Sequence, residues 1–116
     1  MTFDDKVRAL SDLYGAFNRR EIERVLAALS PDVRWPNVLE NTELRGHAAI
    51  RAYWLAQFET LEPLVEPVDI EERDDAVAVK VRQAVRRKAT GHVTESRVTH
   101  VYRFDHEGRV ASMVVA

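Results

Sequence analysis

The chain has 116 residues, with 17 basic and 19 acidic side chains, a formal net charge of −2 and no cysteine. That balance gives no electrostatic case for a nucleic-acid partner, and the missing thiols exclude Cys-ligated zinc and a Cys nucleophile. The length bounds the protein at one domain, residues 1–116, able to bury about two-thirds of its unfolded surface without a metal or disulfide staple.

Phe3, Val7, Leu10, Tyr14 and Phe17 recur at steps of three and four, one stripe of an amphipathic helix. Thr2 supplies an N-cap, with Asp4 and Asp5 in the first turn. Burying the five stripe residues contributes on the order of 10 kcal/mol before chain entropy is subtracted. Asn18 breaks this helix. A shorter one is expected over Glu21 to Leu29, with Ile22, Val25, Leu26 and Leu29 inward, ended by Ser30-Pro31-Asp32. Asp32 to Asn37 reads as a short strand. Pro36 cannot donate to a ladder, so this strand is expected to lie at a sheet edge or to end there. Val38 to Arg45 reads as a loop, with some extended character near Leu44. Gly46 then precedes a third helix, His47 to about Leu61, closed by Pro63.

From Leu64 the pattern alternates with period two. Leu64 to Glu72 is one strand, Asp74-Asp75 a turn, and Ala76 to Lys88 the next strand, with Val77, Val79, Val81, Gln83 and Val85 on one face. Thr90-Gly91 reads as a two-residue turn. With that turn, Val81 faces His100, Val79 faces Tyr102, and Gln83 faces Val98, while Glu95 and Arg86 form an opposite-charge pair. Val93 to Phe104 is rich in β-branched and aromatic residues. Its even positions, among them Val98, His100, Tyr102 and Phe104, share the face expected to line the interior. Arg109 to Ala116 is the last strand. Three helices followed by an antiparallel meander define an α+β fold.

On residue chemistry alone, His100 is the leading candidate for function. An imidazole near neutrality can both donate and accept, and the alternative is a core histidine bonded to Tyr14 or a backbone carbonyl. Trp35, Trp54, Tyr53, Tyr102 and Phe104 can wall a pocket for a flat apolar ligand or pack as ordinary core, and Asn37 and Gln83 are its candidate polar contacts. Arg82, Arg86, Arg87 and Lys88 read as a solvated face. His47, His92 and His106 fall at helix starts or turns and read as surface. HExxH, GxGxxG and GxxxxGK are absent, so no metal or cofactor is expected. No apolar run approaches membrane-spanning length, and Met1-Thr2-Phe3-Asp4-Asp5-Lys6 lacks the apolar core of a signal peptide. The expectation is therefore a soluble, cytoplasmic protein with no membrane partner.

Several stretches together resemble the nuclear transport factor 2-like superfamily, and within it the SnoaL-like group that includes ketosteroid isomerases. They are Leu13-Tyr14-Gly15-Ala16-Phe17-Asn18, Pro31-Asp32-Val33-Arg34-Trp35-Pro36, Leu44-Arg45-Gly46-His47 and the closing His100-Val101-Tyr102-Arg103-Phe104 with Gly108-Arg109-Val110. The resemblance spans nearly the whole chain. It implies a cone, with three N-terminal helices packed on a curved, mainly antiparallel sheet around an apolar pocket, and homodimers through the outer sheet face. Tyr14 matches the tyrosine that donates to the developing oxyanion in ketosteroid isomerases, and His100 matches their protonated aspartic acid, the second donor. Trp35 falls where those enzymes carry the aspartate base, and an indole cannot accept a proton. Only His100 itself, or Glu40 or Glu43 from the loop, remains to serve as base.

Two readings follow. In the first, the protein is an isomerase-, lyase- or hydrolase-type enzyme acting on an apolar cyclic or carbonyl compound, with His100 and Tyr14 as catalytic groups. In the second, it is a non-catalytic ligand-binding or accessory module of the same shape.

Overall fold

The computed structural model describes residues 1–116. The chain runs through α1 (Phe3–Asn18), α2 (Ile22–Ala27), β1 (Leu29–Asn37), β2 (Thr42–Arg45), α3 (His47–Thr60), β3 (Leu61–Arg73), β4 (Ala76–Arg87), β5 (Val93–Phe104) and β6 (Val110–Val115). The strands form one six-stranded sheet in the order β2-β1-β6-β5-β4-β3. Every neighbouring pair is antiparallel except β1 and β6. The helices cover the inner face, giving the α+β cone.

The start of α1 is fixed by a reciprocal cap. Thr2 Oγ1 accepts from the Asp5 amide at 3.1 Å, and the Asp5 carboxylate accepts from the Thr2 amide at 3.0 Å. The helix buries Leu10, Leu13, Tyr14 and Ala16, a face wider than the five-residue stripe. Its last residue, Asn18, ties it to the sheet. The side-chain amide donates to the Val65 carbonyl at 2.7 Å and accepts from the Val65 amide at 2.9 Å. This holds α1 against β3, whose position at the sheet edge accommodates Pro63 and Pro67.

Four expectations are corrected. First, α2 ends at Ala27 and β1 begins at Leu29, because Leu29 is drawn into register with Val110 of β6 and is buried there. Second, the stretch expected to be a loop forms a strand, β2, so β1 lies between β6 and β2 and not at the edge, and it ends one residue past Pro36. Pro36 is accommodated because the pairing with β6 extends only to Arg34. Third, the β4–β5 hairpin turns through Lys88 to Gly91. The Arg87 amide donates to the His92 carbonyl at 2.9 Å, and Gly91, at φ +74°, donates to the Arg87 carbonyl at 2.7 Å. His100 therefore faces Val79, Tyr102 faces Val77, and Val98 faces Val81. The slip is by two residues, so each side chain keeps its face. Glu95 lies opposite Ala84, and Arg86 pairs instead with Glu62 of β3 at 2.7 Å. Fourth, His47 is half-buried, and its Nε2 donates to the Leu29 carbonyl at 3.0 Å, pinning the start of α3 to β1.

Candidate functional site

Between the helices and the concave face of the sheet lies a cavity of about 190 Å³. Phe17 of α1, Trp35 of β1, Trp54 of α3 and Tyr102 of β5 build an aromatic wall. Trp54 meets Phe17 and Trp35 edge-on at ring-centroid distances of 5.4 and 5.7 Å, and Trp35 meets Tyr102 at 6.3 Å. The sheet side is closed by Val85, Val98, Met113 and Val115. The alternation of each strand explains these positions, since the inward residues of neighbouring strands stand side by side.

The polar content of the cavity is small and specific. His100 is 9% exposed, and Nδ1 lies 2.8 Å from Tyr14 Oη. Tyr102 Oη donates to Tyr14 Oη at 2.7 Å, so two phenols and one imidazole form a continuous chain. The Tyr14 and His100 rings are within 8° of parallel. Burial pushes the His100 imidazolium down to about 4, so the ring is neutral at physiological pH. Burial also raises both phenols above their ordinary range. The remaining ring nitrogen, Nε2, makes no hydrogen bond to the protein, yet it is not sealed off from solvent as Ser30 Oγ is. His100 is among the residues that line the cavity, and Nε2 is its ring nitrogen without a protein partner.

Gln83 of β4 also lines the cavity, half-buried and with its amide free of protein partners. It sits four residues beyond Val79, the partner of His100, or about 13 Å along the strand. Tyr53 and Gln57 also line the cavity, and Tyr53 Oη accepts from Gln57 Nε2 at 3.3 Å. In the β1–β2 connection, Val38 and Leu39 are largely exposed.

Of the residues picked out in the sequence, His100, Tyr14, Trp35, Trp54, Gln83 and Tyr102 all line this cavity. Asn37 and Phe104 do not. The Asn37 side chain turns into its own hairpin, where Oδ1 accepts from the Glu40 amide at 3.2 Å. Phe104 follows a register shift between Arg103 and Phe104 and packs toward the start of α1, with Lys6 Nζ 5.8 Å from its ring centre. Glu43 is outside, paired with Arg34 at 3.1 Å, and Glu40 stays in the hairpin, so no carboxylate lines the cavity. Sequence reasoning passed over Met113 and Val115, although the alternation of the last strand marks them, and over Val65, whose inward position depends on the Asn18 clamp. No group of three or more His, Asp or Glu side chains is arranged to hold a metal, and no helix is long and apolar enough to cross a membrane.

A family model described as a SnoaL-like domain matches residues 10–113. The chain belongs to the SnoaL-like family. No functionally curated protein matches it by sequence. A crystal structure of a nuclear transport factor 2-like protein of unknown function from Burkholderia pseudomallei is 26% identical over 100% of this chain and 91% of that one, with a TM-score of 0.86. TerC co-crystallised with polyporic acid is 23% identical over 97% of this chain and 90% of that one, with a TM-score of 0.84. A Mycobacterium tuberculosis protein in complex with estradiol-17β-hemisuccinate is 16% identical over 94% of this SnoaL-like chain and 90% of that one, with a TM-score of 0.80. At these identities the last two show the shared fold.

Proposed function

We propose that this SnoaL-like domain takes one small, neutral, apolar cyclic or carbonyl compound into its cavity and acts on it as an isomerase-, lyase- or hydrolase-type enzyme through His100. A single observation carries the reading: a neutral imidazole, held by a buried phenol and with one ring nitrogen free of protein partners, lines an aromatic-walled hollow. A hollow of about 190 Å³ has room for one to two fused rings, given that a dry cavity of about 150 Å³ holds benzene. Proteins of this fold hold polyporic acid and a steroid derivative, so the scaffold suits flat ring systems. A hydrogen bond from a dry, preorganised donor to a developing oxyanion contributes a few kcal/mol to a barrier.

The absence of any carboxylate among the cavity residues favours a second reading, a binding module without turnover. Both readings are tested together by measuring ligand-induced thermal stabilisation and turnover over small cyclic ketones, enones and epoxides, for wild type and His100→Ala. Turnover abolished by the substitution supports the enzyme. Stabilisation without turnover supports the module. Turnover untouched by the substitution rejects the role given to His100.

A further inference from the structure

The direction of the hydrogen-bond chain joined to His100 is set by where its two phenol protons find acceptors. Tyr102 is 1% exposed, and the only partner of its hydroxyl is Tyr14 Oη. If His100 Nδ1 were the donor, Tyr14 Oη would accept from it, and one of the two phenol protons, that of Tyr14 or that of Tyr102, would be left without an acceptor in the protein. An orphaned buried donor disfavours that arrangement by roughly tenfold or more. With Tyr102 donating to Tyr14 and Tyr14 donating to Nδ1, every hydroxyl proton in the chain has an acceptor.

We infer that Tyr14 and Tyr102 hold His100 as the tautomer protonated on Nε2, so that the imidazole meets the cavity as a donor and selects ligands bearing a hydrogen-bond-accepting carbonyl oxygen. The phenols and the imidazole then act in series. Tyr14 is a positioning residue whose proton is spent on Nδ1, and the imidazole meets the ligand. The resting site holds no base, so any reaction begins by polarising a carbonyl. Ligands whose polar group can only donate, such as a ring N–H, face Nε2–H proton to proton. This inference rests on the proposal that the cavity is the ligand site.

The tautomer is measured on the ligand-free protein by two-bond ¹H–¹⁵N correlation of ¹⁵N-histidine-labelled samples at pH 7. The expected spectrum shows a protonated Nε2 and an unprotonated Nδ1 for His100. A protonated Nδ1 overturns the inference. Binding of three two-ring probes of similar size is then compared by calorimetry: 1-indanone (acceptor), indole (donor) and indane (neither). Indanone is expected to bind about tenfold more tightly than indane, with indole no better than indane. Tyr14→Phe, which frees the tautomer, is expected to shrink the gap between indanone and indole, with circular dichroism reporting that the variant is folded. A preference for indole overturns the ligand class even with the expected tautomer. Failure of all three probes to bind, with Nε2 protonated, rejects the cavity as ligand site and the ligand class with it, while the tautomer stands.

Discussion

Replacing His100 by Gln should flatten the acid limb of the stability curve. Native His100 takes up its proton only near pH 4, because burial disfavours the charged ring, whereas in the unfolded chain it does so near 6.5. Between those values the unfolded state binds more protons than the native one, so stability falls as pH falls from about 7 toward 4. A difference of this size is worth roughly 3 kcal/mol once both states are protonated, and about 2 kcal/mol of it is lost between pH 7 and pH 5. Gln is uncharged throughout and close enough in reach to occupy the site. The assay is urea denaturation at half-unit steps from pH 5 to pH 7.5, with the m-value checked for constancy. The wild type should lose about 2 kcal/mol more than His100→Gln over that range. Parallel curves would refute the claim that the imidazole is held neutral by burial, and with it the electrostatic account of the site.

Three further outcomes are expected. Tyr14→Phe orphans the buried Tyr102 hydroxyl and should cost about 1–3 kcal/mol in urea denaturation, with the Tyr14→Phe/Tyr102→Phe pair costing less than the sum of the single changes. Asn18→Ala removes both bonds to Val65 and should cost a similar amount, about 1–3 kcal/mol, with faster amide exchange at Val65 as its local signature. Gly91→Ala forces a side chain onto a residue at φ +74° in the β4–β5 hairpin and should cost about 1 kcal/mol, read as a lower melting temperature with the fold unchanged by circular dichroism.

The parts of the fold legible in the sequence are those whose burial is one-sided and regular. The α1 stripe, the Thr2 cap and the faces of β4 and β5 all follow from periodicity. What local pattern misreads is decided by pairing at a distance. Ser30-Pro31-Asp32 has the composition of a turn, yet the chain passes straight through it as strand, because Leu29 and Arg34 are matched by Val110 and Ser112 of β6. β2 carries no signal of burial at all, since Thr42, Glu43 and Arg45 are exposed and only Leu44 is partly covered. The hairpin slip escaped notice for a related reason: moving the register by two leaves both faces chemically consistent, and only the identity of the charge partner, Glu62 rather than Glu95, reveals it.

The site divides along the same line. That His100, Tyr102 and Trp35 turn inward follows from alternation, and that Tyr14 faces them follows from the helix stripe. Their order in a chain does not, because it depends on where each hydroxyl finds its acceptor. A sequence that places two donors near a pocket is compatible with both pointing at a ligand, as the ketosteroid isomerase resemblance implied. The distances of 2.8 and 2.7 Å instead join both phenols to the imidazole in one chain. A buried group can give its one proton to one partner. In a hollow without carboxylates or other ionised side chains, where the two phenol protons go decides what kind of ligand atom His100 can receive.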